Sequence, residues 1–382
     1  MSSWARCGIV AAVAMACAMG TSAAKADGGE LWVGGAGGPT YDGLLNTFNL
    51  SGVTAIAAGS NFTMVLQNGV IYTWGDNMVG QLGRGTGLVP YDGTAARPLD
   101  NPPSGTVTAI AAGGTTSFAI MNGGSLYAWG SNGYGQLGTG FSDYNPHDTP
   151  TPVQDLSSGV TAVAVGWTYC MAIKDGGVWS WGTNANGDRY TPTPMSTLSS
   201  GITAIAAGAS HGVALDNAGE VWIWGSNADG SGAINTPELV TGLGTVIAIA
   251  AGGDATLAVT TNGDVWGWGE NFGTSPIDLT LNVYHDLTNV VDVAIGWDNS
   301  YGGSRYTFYA LTGTGDLYEW TSDVGSVPTL QGDPGDVFAK IVANGTHALA
   351  IKNWAVDTPE PGSLGLLTIG VVGLLMRRRS RA

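Results

Sequence analysis

The sequence predicts an all-β chain closed into a ring of seven similar sheets, a seven-bladed β-propeller joined through its N- and C-terminal strands. Three observations predict it. A short apolar phrase of alternating pattern recurs seven times, starting at Val53, Val107, Val160, Ile202, Val246, Val290 and, in worn form, Phe338. Its start-to-start spacings are 54, 53, 42, 44, 44 and 48 residues, the range of propeller and related repeat architectures. Each copy then continues through a second apolar run, an Asn-Gly- or Asp-Gly-type hairpin turn and a third strand.

The elements follow in order. The phrase Val53 to Gly59 alternates and ends at glycine, which suits a strand and a turn. Met64 to Leu66 or Gly212 to Leu215 supply the second strand. The third strand carries aromatics two residues apart: Tyr72 and Trp74, Tyr127 and Trp129, Trp179 and Trp181, Trp222 and Trp224, Trp266 and Trp268, Tyr318 and Trp320. Residues at i and i+2 share one face of a strand, so each pair forms an aromatic plate able to pack on the neighbouring sheet. The segment from Asp27 to Val33 reads as the second half of a repeat, and Phe338 to Lys352 as a first half. Pairing the two halves would close the ring and leave no free edge.

Both ends read as processing segments. Arg6, an apolar run from Gly8 to Met19 and a small-x-small site at Ala24-Lys25-Ala26 mark residues 1–26 as a secretory signal peptide cleaved after Ala26. Cys170 would then be the one remaining cysteine, so the body would stand without an internal disulfide. At the other end, residues 355–382 hold Pro359, Glu360 and Pro361, a short apolar segment at 364–376, and Arg377, Arg378, Arg379 and Arg381. Thirteen apolar residues fall short of the ~20 that span a bilayer comfortably, and the arginines hold the far end on the cytoplasmic side. This order resembles the PEP-CTERM sorting signal of Gram-negative bacteria. The resemblance implies transient insertion in the inner membrane as a short hydrophobic helix, handling by an exosortase-type sorting enzyme, and delivery to the cell envelope, outer surface or extracellular matrix.

Charge narrows the partners. The chain has 13 Lys and Arg against 29 Asp and Glu. Removing Arg6, Lys25 and the four C-terminal arginines leaves 7 basic residues against 29 acidic ones, a formal −22. Such a surface repels phosphate backbones, so a nucleic-acid partner is not expected.

The repeats themselves resemble the RCC1-repeat family over about residues 27–354. The resemblance rests on Ala207-Gly208 through His211 to Leu215 followed by Gly219 to Gly225. It also rests on the Gly-Gln-Leu-Gly elements Gly80 to Gly83 and Gly135 to Gly138, which the later copies lose. It implies a seven-bladed propeller. The guanine-nucleotide exchange activity of the nuclear member is not expected of an exported acidic chain, nor is a small GTPase partner. Secreted β-lactamase inhibitors built from the same repeat bind through aromatic-rich turns on one face, and this makes an inhibitor one alternative.

The turns after each phrase are expected on one rim, and Phe62, Trp167, Tyr169, His211, Asp254 and Trp297 are the candidate partner-binding residues there, because interfaces favour aromatic side chains. The competing expectation is that such positions fold inward as packing. Two longer inter-strand segments, Arg97 to Pro103 and Asp143 to Pro152, are candidate specificity loops or plain surface.

Catalytic motifs are weak. Gly208-Ala-Ser210-His211-Gly212 matches the nucleophile pattern, but a strand rather than a helix follows it. Asn227, Asp229, Ser231 and Glu238 fit the spacing of a calcium loop, with Asn and Ser replacing the usual acids and strands flanking it, so no metal is assigned. No catalytic residue and no cofactor is assigned. The function expected is a non-enzymatic exported scaffold that binds a protein or glycan through one loop rim. An enzyme acting on extracellular polysaccharide through carboxylates in the central channel is the other alternative.

Overall fold

A computed structural model describes residues 30–34, 52–85, 91–184, 187–226, 233–270, 272–279, 287–298, 305–323, 326–332, 336–344 and 347–353. The expected signal peptide, its cleavage site at Ala26, the apolar segment at 364–376 and the sorting residues Pro359, Glu360, Pro361, Arg377, Arg378 and Arg379 lie outside the described residues. No helix among the described residues is long and apolar enough to cross a membrane.

The strands fall into sheets in chain order. β1 is Glu30–Gly34. Blade 1 holds β2 (Val53–Ala58), β3 (Phe62–Gln67), β4 (Val70–Asp76) and β5 (Tyr91–Pro98). Blade 2 holds β6 (Val107–Gly113), β7 (Thr116–Met121), β8 (Leu126–Asn132) and β9 (Asp143–Pro152). Blade 3 holds β10 (Val160–Val165), β11 (Tyr169–Lys174), β12 (Gly177–Asn184) and β13 (Gly187–Pro194). Blade 4 holds β14 (Ile202–Ala207), β15 (His211–Asp216), β16 (Val221–Ser226) and β17 (Ala233–Val240). Blade 5 holds β18 (Val246–Gly252), β19 (Ala255–Thr260), β20 (Val265–Gly269) and β21 (Gly273–Asp278). Blade 6 holds β22 (Val290–Asp298), β23 (Arg305–Thr312), β24 (Leu317–Thr321) and β25 (Thr329–Leu330). β26 (Val337–Asn344) and β27 (His347–Asn353) complete the chain.

Six sheets have four strands, each an antiparallel meander, and a seventh has three in the order β1-β27-β26. The expectation of seven blades, the seventh joined from the two terminal half-repeats, is therefore corrected to a propeller of six four-stranded blades plus a three-stranded closing sheet. That sheet contains both ends of the ring: Trp32 faces Ala350 and Glu30 faces Lys352 across β1 and β27.

The fourth strand of each full blade is the element the sequence reading lacked. β9 and β13 contain Pro150 and Pro152, and Pro192 and Pro194. Proline cannot donate to a ladder, which argues against a strand except at an edge with its nitrogen facing out. Here the prolines sit on the outermost strand, and the long segment around Asp143 to Pro152 is an edge strand rather than a free loop.

The aromatic pairs divide their labour. The second member of each is buried (Trp74, Trp129, Trp181, Trp224, Trp268 and Trp320), whereas the first is only half-buried. The buried tryptophan packs backward onto the preceding blade. Trp129 joins Met64 and Leu82 of blade 1, Trp181 joins Phe118 and Leu137 of blade 2, and Trp74 joins Leu349 and Ile351 of the closing sheet. Each such ring removes ~150–250 Å² from water, so these side chains carry much of the inter-blade adhesion.

Where the Gly-Gln-Leu-Gly element is present, it adds a polar clamp. Trp129 Nε1 donates to the Gln81 carbonyl at 3.0 Å, and Ser117 Oγ to the same oxygen at 2.8 Å. Trp181 Nε1 donates to the Gln136 carbonyl at 2.7 Å, joined by Cys170 Sγ at 3.5 Å. In the copies without the element, the buried Nε1 groups of Trp224 and Trp268 have no hydrogen-bond partner among the described residues. In blades 1 to 5 a glycine of positive φ follows the tryptophan, whereas Thr321 follows Trp320 in blade 6. At Gly182, φ is +92° and an added Cβ would lie 2.5 Å from the Thr168 carbonyl oxygen.

A second chain of contacts links the blades near the channel. Tyr169 Oη donates to the His211 carbonyl, and His211 Nε2 meets Thr256 Oγ1 at 2.9 Å. His211 therefore bridges blades 4 and 5 from a site only 4% exposed, where burial pushes its imidazole pKa down to about 4.

Two predictions follow from this packing. Trp181→Phe and Trp224→Phe both lose buried ring area at a blade joint, but Trp181→Phe also leaves the buried Gln136 carbonyl without its indole donor and is expected to cost about 1–3 kcal/mol more than Trp224→Phe. Chemical denaturation of the two variants checks this, and equal losses would refute the clamp. For His211, the unfolded chain takes up a proton near pH 6.5 but the folded chain only near 4, so acid favours unfolding in that window. Stability is expected to fall by up to roughly 3 kcal/mol between those pH values. His211→Gln should flatten this part of the stability profile, read as urea midpoints from pH 7 to 4.

Candidate functional site

In blades 1, 2, 3 and 5 the turn between the first and second strands and the end of the third strand meet on the same rim. Asp76 N–H donates to Asn61 O at 2.9 Å, Ser131 N–H to Thr115 O at 3.1 Å, Thr183 N–H to Thr168 O at 2.9 Å and Glu270 N–H to Asp254 O at 3.0 Å. The segment leading to the outer strand leaves from the same end. One rim therefore collects both sets of connections, while the tight glycine hairpins and blade-to-blade crossings occupy the other.

The structure divides the six candidate rim residues. Phe62 and Tyr169 are each 1% exposed and His211 is buried as described. These three are corrected from binding to packing residues: they begin the second strand and fold back into the joint between blades. At Gly59 an added Cβ would overlap the Phe62 ring at 1.9 Å, which shows how closely the turn wraps that side chain. Trp167, by contrast, is 49% exposed, and Trp297 and Asp254 are half-buried.

Trp167 of blade 3 and Trp297 of blade 6 meet edge to face at 5.7 Å between centroids, with their planes at 83°. They come from opposite parts of the ring and touch at the mouth of the central channel. That mouth is a cavity of about 40 Å³ whose lining also includes Gly114, Gly253 and Asn344.

Asp254 lies beside this pair in a cluster not anticipated from sequence. Tyr306 Oη donates to Glu270 Oε2 at 2.6 Å and accepts the Asp254 backbone N–H at 3.0 Å. Burial, then the charge of Glu270, raises the Asp254 carboxyl pKa. Glu270 and Tyr306 lie 16 and 52 residues from Asp254 in sequence, and no spacing rule connects them. The one available signal is Glu270 following the Trp268-Gly269 pair, where sister blades carry Asp76, Ser131 and Thr183.

The exposed aromatics of the described residues all lie on this rim. Tyr134, Phe141 and Tyr144, the last 87% exposed, stand in the segment between β8 and β9 and at the start of β9, with Met78 in the equivalent segment of blade 1. Phe141 contacts His147, which pairs with Asp143 at 3.0 Å.

The channel itself is apolar. Its bore, about 140 Å³, is walled by the first strands: Ile56, Val163, Ile205, Ile249, Ile295 and Ile341 with neighbouring alanines and valines, and Asn344 as its polar residue. The expectation of catalytic carboxylates in the channel has no side chain to rest on among the described residues. Of the residues that fit calcium-loop spacing, Asn227, Asp229 and Ser231 lie outside the described residues and Glu238 is exposed on β17. No group of three or more His, Cys, Asp or Glu that could hold a metal ion occurs among the described residues.

Comparison with known proteins agrees with this architecture. Two family profiles, each described as Regulator of chromosome condensation (RCC1) repeat, match residues 68–120 and 123–173, and residues 107–136, 202–231 and 246–273. A PEP-CTERM protein-sorting motif matches residues 357–379. The RCC1 domain-containing protein RUG3 of Arabidopsis thaliana is 35% identical over 133 residues, 34% of this chain and 29% of that protein. The ultraviolet-B receptor UVR8 of the same plant is 31% identical over 143 residues, 35% of this chain and 30% of the receptor. The match thus spans less than a third of the length of either relative. Among solved structures, Prp20p from Saccharomyces cerevisiae superposes with a TM-score of 0.69 at 18% identity, covering 89% of this chain and 94% of that one. Human WBSCR16 does so at 0.66 and 20% identity, covering 78% and 87%. These likenesses show the fold. The chain carries RCC1 repeats on a β-propeller and, at its C-terminal end, a PEP-CTERM sorting motif.

Proposed function

We propose that this protein is an exported, non-enzymatic binding scaffold that presents the rim of Trp167, Tyr134, Phe141 and Tyr144 to a protein or glycan outside the cell. The observation that carries the reading is the segregation of exposed aromatics. The ring needs its tryptophans buried, and it buries one in every full blade. Aromatics left in water on one rim serve no blade, and such side chains dominate the energetics of interfaces. Connections on a rigid ring are also where binding residues usually sit.

The sorting motif at 357–379 supports export and delivery to the envelope of a Gram-negative bacterium. In this reading an exosortase-type enzyme is the first partner, acting after transient insertion of residues 364–376 in the inner membrane. Replacement of Pro359, Glu360 and Pro361 by alanine is expected to shift the protein from the outer envelope or matrix fraction to the inner membrane. An unchanged distribution by fractionation would refute the sorting role.

Rim binding is tested by crosslinking and capture from the envelope and matrix fraction with the full-length chain. Against the parent, a Phe141→Ala, Tyr144→Ala, Trp167→Ala variant is expected to lose capture of its main partner by roughly ten-fold or more. All three side chains are exposed, so thermal unfolding should be little changed. Equal capture by both chains would overturn the rim assignment.

A further inference from the structure

The closing sheet sends both ends of the ring out of one face, opposite the aromatic rim. We propose that the C-terminal tail tethers the propeller by its hairpin face, so that the rim is turned away from the anchoring membrane and meets a macromolecule on the outer side rather than a lipid of that membrane. The inference deepens the rim reading above and rests on it for the binding face.

Strand direction carries the argument. In each blade the second-to-third hairpin lies opposite the rim, where Asn68 N–H donates to Gly52 O and Asn217 N–H to Gly201 O. β27 runs as a second strand: His347 faces Asn344 at the rim end, and Asn353 faces Val337 at the hairpin end. β1 runs as a third strand, with Glu30 opposite Lys352 at the hairpin end and Gly34 opposite Ala348 toward the rim. The chain therefore enters β1 and leaves β27 on the hairpin face. Asn353 leads on to the sorting motif at 357–379, and Glu30 leads back to the expected cleavage site at Ala26.

Length then decides the orientation. Strands of mostly six to eight residues at ~3.3 Å per residue put the two faces ~20–26 Å apart. Residues 354–359 reach at most ~20–22 Å when fully drawn out, so an attachment at Pro359 does not come round to the rim. Residues 354–363, ahead of the apolar segment, reach at most ~33–36 Å. Passing β1 and the height of the sheet uses nearly all of that length, and a fully drawn chain is opposed by its own entropy. Position in the ring widens the gap. Tyr134, Phe141, Tyr144 and Trp167 belong to blades 2 and 3, two and three places round from the closing sheet that holds the tether.

Exposed Tyr and Trp can also seat a protein in a membrane interface. The tether opposes that use for the membrane that holds the tail. Charge opposes it as well, because Asp143 and Asp188 at the rim ends of β9 and β13 would be pressed against an anionic leaflet. On the hairpin face, Asp175, Asp216, Asp264 and Asp316 hold the disc off the same leaflet, so the tail supplies the attachment.

The test places the full-length chain in vesicles of phosphatidylethanolamine and phosphatidylglycerol and measures energy transfer to an acceptor lipid. Cys7 and Cys17 are replaced by serine, and Cys170 is buried and stays unlabelled. A membrane-impermeant donor dye is attached at Tyr144→Cys or Met78→Cys on the rim, or at Ala218→Cys or Asn262→Cys on the hairpin face, all exposed positions. Overlapping melting curves would show that the fold is kept. The hairpin labels are expected to transfer at least about two-fold more strongly than the rim labels, as a height difference of ~20–26 Å implies. Inserting about twenty Gly and Ser residues between Val356 and Asp357 lets the disc turn over and should bring the two sets toward equality. Equal transfer from both sets in the parent, stronger transfer from the rim, or no effect of the longer tether overturns the inference. Capture from the envelope fraction separates it from the rim reading. If the rim labels lie at the membrane while capture still depends on Phe141, Tyr144 and Trp167, the orientation falls and the rim reading stands. If capture is independent of those side chains, the rim reading falls and the outward partner with it.

Discussion

Each full blade is held to its predecessor by one buried tryptophan, and the rest of the molecule depends on that contact. The third strand places two aromatics on the same face; the second is buried in the blade joint, and the first is half-buried, in blades 2 to 6 against the hydrophobic clusters of the joints. In blades 1 to 5 the tryptophan is followed by glycine, because the backbone there passes within van der Waals distance of the rim turn; in blade 6 Thr321 takes that place. Adhesion, turn geometry and ring closure thus rest on a two-residue unit repeated around the ring. Its polar half is dispensable. Blades 2 and 3 satisfy the indole N–H with a carbonyl of the preceding blade, whereas Trp224 and Trp268 stand buried without an acceptor among the described residues. Packing area outweighs one hydrogen bond of about 1 kcal/mol net, which explains how the Gly-Gln-Leu-Gly element could be lost without loss of the fold.

That division of labour frees one rim. The channel is lined by small apolar side chains of the first strands and is narrow, so it offers packing rather than chemistry. The hairpin end is built from tight glycine turns. The opposite rim gathers two kinds of connection per blade, and there the chain spends residues that the ring does not need: exposed Tyr134, Phe141, Tyr144 and Trp167. Different blades contribute different groups: blades 2 and 3 bear the exposed aromatics, and blade 5 bears Asp254 and Glu270. Trp167 and Trp297 meet across the mouth and join the two regions.

Much of the fold was legible because repetition supplies its own alignment. Seven phrases, hairpin turns and aromatic pairs located the three inner strands, and the half-repeats at the ends located the closure. The fourth strand was not legible. Its prolines argue against a strand in any context except an outer edge, and edge position is a property of the assembled blade. The rim residues were legible only as positions. Phe62, Tyr169 and His211 occupy the same place in the repeat, and the competing expectation that they fold inward was the correct one.

The sequence by itself determined the repeat, its period, the acidic surface and the processing motif at the C-terminal end, because each is a local pattern or a sum over residues. The tertiary structure alone decided which aromatics remain in water and which partners meet. Trp167 and Trp297 are 130 residues apart, and Asp254 and Tyr306 are 52 apart; only closing the ring brings each pair together. The physical reason is that a propeller places equivalent positions of every blade around one axis. Residues distant in sequence therefore become neighbours at the mouth, while the blade joint at each position decides whether a side chain turns inward to pack or outward to bind.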